Sequence, residues 1–134
     1  MPLHLMKLCV GVDSLEELRE CRREWLREPP VPGFPRPPYH TTRSMPKRRD
    51  ELLDGGSLYW IIRGWMRARQ ELVDIVPFVD GEGMRRCHLV LAPELIATVG
   101  VPHRPFQGWR YLRGADAPPD AGGGLGEELA RFGL

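Results

Sequence analysis

Basic side chains interleaved with aromatic ones are the chemistry-bearing pattern that recurs along this 134-residue chain. A first stretch holds Tyr39, His40, Arg43, Lys47, Arg48 and Arg49. A second holds Tyr59, Trp60, Arg63, Trp65, Arg67 and Arg69, and a third Arg104, Phe106, Trp109, Arg110 and Tyr111. Arg and Lys neutralise phosphates, and aromatic faces stack unpaired bases for about 1–3 kcal/mol each. The pattern predicts a non-enzymatic nucleic-acid-binding domain, for RNA before DNA. Arg43, Lys47, Arg48, Arg49, Arg63, Arg104 and Arg110 would contact phosphates, and Tyr59, Trp65 and Trp109 would stack bases. The competing reading puts Trp60 and Trp109 in the core and leaves the Arg side chains on strand faces.

Two other functions stay open. One is an enzyme acting on a nucleotide or small anion, with His40 or His88 as acid/base and an Arg as anion clamp; it requires a concave pocket that sets a His beside an Arg. The other is a protein-interaction module built on the Pro-rich segment or an exposed Trp patch. Further chemistries lack their residues. Ser14, Ser44 and Ser57 stand outside any G-x-S-x-G elbow, and Cys87 and His88, as strand neighbours, face opposite sides. Without CxxC or HxxxH spacing no metal is expected. Without GxxxxGK[ST] or GxGxxG no cofactor is expected either. Asp50, Glu51 and Asp54 read as a solvated helix face beside Lys47, Arg48 and Arg49.

Charge placement supports the basic reading better than composition does. Seventeen Arg, two Lys and no Asn also follow from GC-rich coding. The distribution does not: residues 1–34 carry five basic and six acidic side chains, residues 35–113 thirteen and eight, and residues 114–134 one and four. No apolar run reaches the roughly 18 residues of a membrane span. Met1–Val12, interrupted by His4 and Lys7, lacks the pattern of a signal peptide. Three scattered cysteines (Cys9, Cys21, Cys87) point to a reducing, cytoplasmic setting.

The elements that must position these residues can be read in outline. Leu3–Val12 reads as a strand apolar on both faces. Ser14 and Glu17, in capping-box spacing, open a helix whose apolar side carries Leu15, Leu18, Trp25 and Leu26, with Cys21 or Arg22 between. Residues 29–38, with six Pro in ten, form an extended connector. Tyr39–Met45 predicts a short strand, Lys47–Leu53 a short helix ended by Asp54-Gly55-Gly56, and Ser57–Ile62 a buried strand. Gly64 marks a bend before pairing resumes through Met66–Val76, with a helix over Arg67–Val76 as the alternative. Asp80-Gly81-Glu82-Gly83 predicts a hairpin turn into Met84–Leu91, with Cys87, Leu89 and Leu91 on one face. Pro93–Thr98 reads as a helical turn or irregular edge, and Phe106–Leu112 as a last strand. The expected class is α+β: a small, strongly bent mixed or antiparallel sheet, or partly open barrel, covered by one N-terminal helix. One domain spans 1–113, and 114–134 is a Gly/Pro-rich, mobile tail.

Four segments carry a family resemblance: LLDGGSLYWIIRG with ARQ (Leu52–Gly64, Ala68–Gln70), RCHLVLAPEL…RPFQGWRYL (Arg86–Leu95, Arg104–Leu112), HLMKLCVGVDSLEEL (His4–Leu18) and TTRSMPKRRDELL (Thr41–Leu53). Together they resemble the alphaproteobacterial domain-of-unknown-function family 1489 over about residues 3–112, with the tail beyond Arg113 outside the match. The resemblance implies membership without an activity. The layout of Lys47–Ile62, a short basic helix leading through a Gly turn into a strand, is similar to PUA-like domains of the ASCH and EVE types. Those folds bind RNA or modified bases, although the ASCH-type G-x-K-x-x-E-x-R motif is absent.

Overall fold

The computed structural model describes residues 2–121 apart from positions 30 and 37. In chain order the elements are β1 (Leu3–Leu8), α1 (Leu15–Arg27), β2 (Tyr39–Thr42), α2 (Arg49–Leu52), β3 (Ser57–Ile62), β4 (Trp65–Val79), β5 (Arg85–Leu91), β6 (Ile96–Pro102) and β7 (Trp109–Arg113). They form an α+β fold on one mixed, open sheet ordered β2-β5-β4-β3-β1-β7, with β6 also paired to β4. Only β1 and β3 run parallel.

Two cores explain why the central strands are apolar throughout. β1 sends Leu3 and Leu5 into one cluster with Leu18, Leu58, Trp60 and Leu89, and Met6 into a second with Tyr59, Ile61, Met66, Phe106 and Leu112. All six residues of β3 are buried, as in a strand covered on both faces. The first core lies on the face that α1 covers through Leu18. The helix starts where expected: the Glu17 N–H donates to Ser14 Oγ at 3.1 Å. The Glu17 carboxylate accepts from the Asp13 N–H rather than from that of Ser14. At the other end of the crossover Gly56 is obligatory, because an added Cβ would lie 2.3 Å from the carbonyl oxygens of both Leu3 and Leu52.

β4 bends the sheet. Its first residues pair with β6 and its last with β5, and register shifts fall at Trp60/Ile61, Met66/Ala68 and Leu72/Asp74. Strand, not helix, therefore occupies Arg67–Val76. Gly64 is no mid-strand bend; with Arg63 it forms a two-residue hairpin loop, both at positive φ (+51° and +80°). Arg takes a place that Asn commonly fills, in a chain without Asn. Pro93–Thr98, expected as a helical turn or irregular edge, instead leads into strand Ile96–Pro102, because β4 is long enough to offer it a partner. β1 is shorter than Leu3–Val12, since the chain turns at Gly11 (φ +82°).

The edge strands β2 and β7 are bridged by the segment after β2. The Ser44 carbonyl accepts from Trp109 Nε1 (2.8 Å), and the Tyr111 hydroxyl accepts from the N–H groups of Lys47 (3.0 Å) and Arg48 (3.2 Å). Residues 114–121, placed in the tail by sequence, dock on the sheet. Asp120 pairs with Arg69, the Ala121 N–H donates to the Ala97 carbonyl, and Ala121 is buried. The expectation for 122–134 falls outside the described residues. Among the described residues no helix is long and apolar enough to cross a membrane.

Candidate anion-binding pocket

The ten residues named from sequence do not share one surface. Tyr59 is a correction: at 4% exposure it belongs to the second core, edge-on to His4, and offers no face to a base. Trp109 is half-buried, held by its Ser44 bond and by Tyr111. Trp65, at 40% exposure, is the open ring of the three, and it sits at the β3–β4 hairpin. Arg48 is paired with Glu51, and Arg49 with Asp74 and the Ile75 carbonyl. Arg63 lies 4.0 Å from Asp13. Arg110 covers the Phe106 ring on the second-core side, while Trp109 and Tyr111 pack against the first, so β7 divides the third stretch between the two faces. Arg43, Lys47 and Arg104 are exposed and make no ion pair among the described residues.

His88 is structural. Its ring stacks on Phe78 (4.1 Å, 9°), Tyr39 and Phe34 close around it, and Nδ1 shares a hydrogen bond with Thr41 Oγ1. It is 3% exposed.

His40 has the setting that His88 lacks. It lines a cavity of about 170 Å³ with Lys7 and Cys9 from the β1 end, Cys21 and Arg22 from α1, and Trp60 from β3. Strand alternation puts Lys7 here: Leu3, Leu5 and Lys7 share the face toward α1. The Arg22 guanidinium sits 5.3 Å from the Trp60 ring centroid and 5.5 Å from that of Trp25. Arg22 Nε donates to Gln70 Oε1 at 3.2 Å. That buried amide also accepts from Trp60 Nε1 (3.0 Å) and donates to the Ala92 carbonyl (3.0 Å). The terminal nitrogens of Arg22 have no protein acceptor among the described residues, and neither Lys7 nor Arg22 forms an ion pair there.

This environment sets the protonation states. Burial, then the charges of Lys7 and Arg22, brings His40 down to about 4, so its imidazole is neutral at pH 7. Burial also lowers Lys7 and Arg22. Cys9 is pushed up to about 11 by burial, against the pull of Arg22, so it stays a thiol. Two cationic side chains with free donors thus face a cavity beside a neutral imidazole. A Born-type desolvation cost is carried without an internal counter-charge, and an anion in the cavity would supply one. Among the described residues no group of three His, Cys, Asp or Glu is arranged for a metal.

Sequence reasoning named His40 and the need for an Arg beside it, but not which Arg. The signals were there as interruptions: Lys7 in an apolar strand and Arg22 on the apolar side of a helix. No curated protein and no solved structure matches the chain, so the PUA-like layout rests on sequence order alone. A family model described as a protein of unknown function (DUF1489) matches residues 5–132, past Arg113 and through most of the tail that the sequence resemblance had left out. The chain belongs to that family.

Proposed function

We propose that this protein binds a small anionic group, phosphate or carboxylate, in the cavity between the end of β1 and α1. The observation that supports it is the Arg22 guanidinium, part-buried against two indoles and one amide, with Lys7 beside it and no carboxylate partner for either among the described residues. Arg22 offers a planar fork and Lys7 a point charge, the usual pair for gripping an oxyanion. The neutral His40 completes the wall as an acceptor for a protonated ligand oxygen. Three free cysteines fit a cytoplasmic setting for such a site.

Calorimetric titration of the protein with inorganic phosphate and with acetate tests the reading. Binding should weaken about tenfold or more in Arg22→Met and in Lys7→Met, as expected for loss of a charge-assisted hydrogen bond. Equal affinity in both variants and the parent protein, or no binding of either anion, overturns it.

A further inference from the structure

We infer that the anion this pocket takes is the terminal phosphate monoester of a single nucleic-acid strand, whose following phosphates run along Arg43 and Lys47. The inference rests on the anion-site reading above. Size is the first argument. A cavity of about 170 Å³ holds a group on the scale of benzene. It admits a phosphate and the carbon that bears it, not a whole nucleotide, so the rest of any larger ligand lies outside the mouth.

The second argument is what the outside offers. Lys7 stands opposite Trp109 in the β1–β7 register, and both side chains face α1. Side chains so paired have Cβ atoms about 4.5–5.5 Å apart. Trp109 Nε1 in turn donates to the Ser44 carbonyl at 2.8 Å, which brings the 43–48 segment across the gap between the two sheet edges. A path therefore leads from the pocket cations, past the Trp109 indole, to Arg43 and Lys47. Their neighbours Arg48 and Arg49 are committed to Glu51 and Asp74, whereas Arg43 and Lys47 make no ion pair among the described residues. One small pocket with two cations, followed by two open cations, suits a strand end better than a free small anion, which needs only the pocket.

Fluorescence anisotropy with short single-stranded RNA tests this, using oligonucleotides bearing a 5′-phosphate, a 3′-phosphate or hydroxyl ends. The same set in DNA decides between the sugars, and inorganic phosphate serves as competitor. One phosphorylated end should bind about tenfold or more tighter than the hydroxyl-ended strand. Arg22→Met and Lys7→Met should erase that preference. Arg43→Ala/Lys47→Ala should weaken every strand and reduce the salt slope by about 1.4, at about 0.7 per phosphate contact, while leaving inorganic-phosphate binding unchanged. Circular dichroism melts confirm that each variant folds. Equal affinity for phosphorylated and hydroxyl ends overturns the inference. If inorganic phosphate binds in an Arg22-dependent way and no oligonucleotide competes, the strand-end proposal falls and the anion pocket stands. If neither binds, both fall.

Discussion

Arg69 and Arg22 are both drawn partly into the protein, and the chain treats them in opposite ways. Arg69 on β4, its side chain 18% exposed, meets both carboxylate oxygens of Asp120 (2.7 and 2.9 Å) and donates a third bond to Ser57 Oγ (2.9 Å). Its pKa is raised by the Asp120 hydrogen bond. Arg22 on α1 has one amide acceptor and two aromatic rings, and burial lowers its pKa. A guanidinium whose charge the chain itself neutralises is a strut: Arg69 ties the C-terminal segment to the sheet. A guanidinium held only by neutral groups keeps its field for whatever enters the cavity beside it. The contrast separates an arginine paired within the chain from one without a carboxylate among the described residues, in a chain that carries seventeen.

The support beneath Arg22 should give the largest response. Gln70 is fully buried and serves Trp60, Arg22 and the Ala92 carbonyl at once. Gln70→Leu keeps the volume and strands these partners, of which the indole N–H is the most deeply enclosed. At about 1–3 kcal/mol for each buried unsatisfied group, a loss of about 3 kcal/mol is expected in urea unfolding. A loss under about 1 kcal/mol would mean that water reaches these groups and that the pocket floor is not rigid.

Acid should come next, through His40. Its folded pKa of about 4 lies below the unfolded 6.5, so the unfolded chain takes up the proton first. The His40 contribution to stability is complete above pH 6.5 and is lost progressively as pH falls to 4. At 1.36 kcal/mol per unit this amounts to at most about 3 kcal/mol. Burial lowers His4 and His88 too, and they act in the same direction. His40→Gln should therefore flatten the stability profile between pH 6.5 and 4 without abolishing it. An unchanged slope in that variant would place His40 in contact with water and remove it from the pocket wall.

Arg69→Met should cost about 2 kcal/mol: it breaks three bonds, two to a charged partner, discounted because Asp120 is 45% exposed. The Arg69→Met/Asp120→Asn double variant should recover part of that loss, since no carboxylate is then left unpaired. A thermal melt that shows no recovery would mean that the two side chains act independently.

Local chemistry made much of this fold readable. Continuous apolar runs marked β1 and β3 and alternation marked β5, Ser14 fixed the start of α1, and Asp80 caps its own turn by accepting from the Glu82 and Met84 N–H groups. β6 was hidden, because Gly100 breaks its pattern and its pairing depends on how far β4 runs. The site was less legible for a related reason. A pocket cation looks the same in sequence as any surface cation; what distinguishes Arg22 is the lack of an acid partner among the described residues, and the groups that hold it instead come from β3 and β4, with Gln70 48 residues along the chain. The basic-aromatic stretches met the same difficulty. Tyr59 and Trp109 sit on strands whose inward faces were set by neighbours, Arg48 pairs with Glu51 three residues on, and Arg49 reaches Asp74 on β4.

The smallest stability change should come from Arg22→Met, and it decides the comparison. If the chain does not neutralise Arg22, removing the charge relieves a desolvation cost while losing one hydrogen bond to Gln70 and two ring contacts. These terms oppose one another at about 1 kcal/mol each, and Met fills most of the space against Trp60. Urea unfolding in phosphate-free buffer should therefore place Arg22→Met within about 1 kcal/mol of the parent protein, against about 2 kcal/mol for Arg69→Met. Saturating phosphate sharpens the test. It should stabilise the parent by RT ln(1 + [L]/Kd) and leave Arg22→Met unmoved. A loss as large as that of Arg69→Met, with no response of either protein to phosphate, would make Arg22 a second strut, and the two arginines would then differ only in the kind of group that holds them.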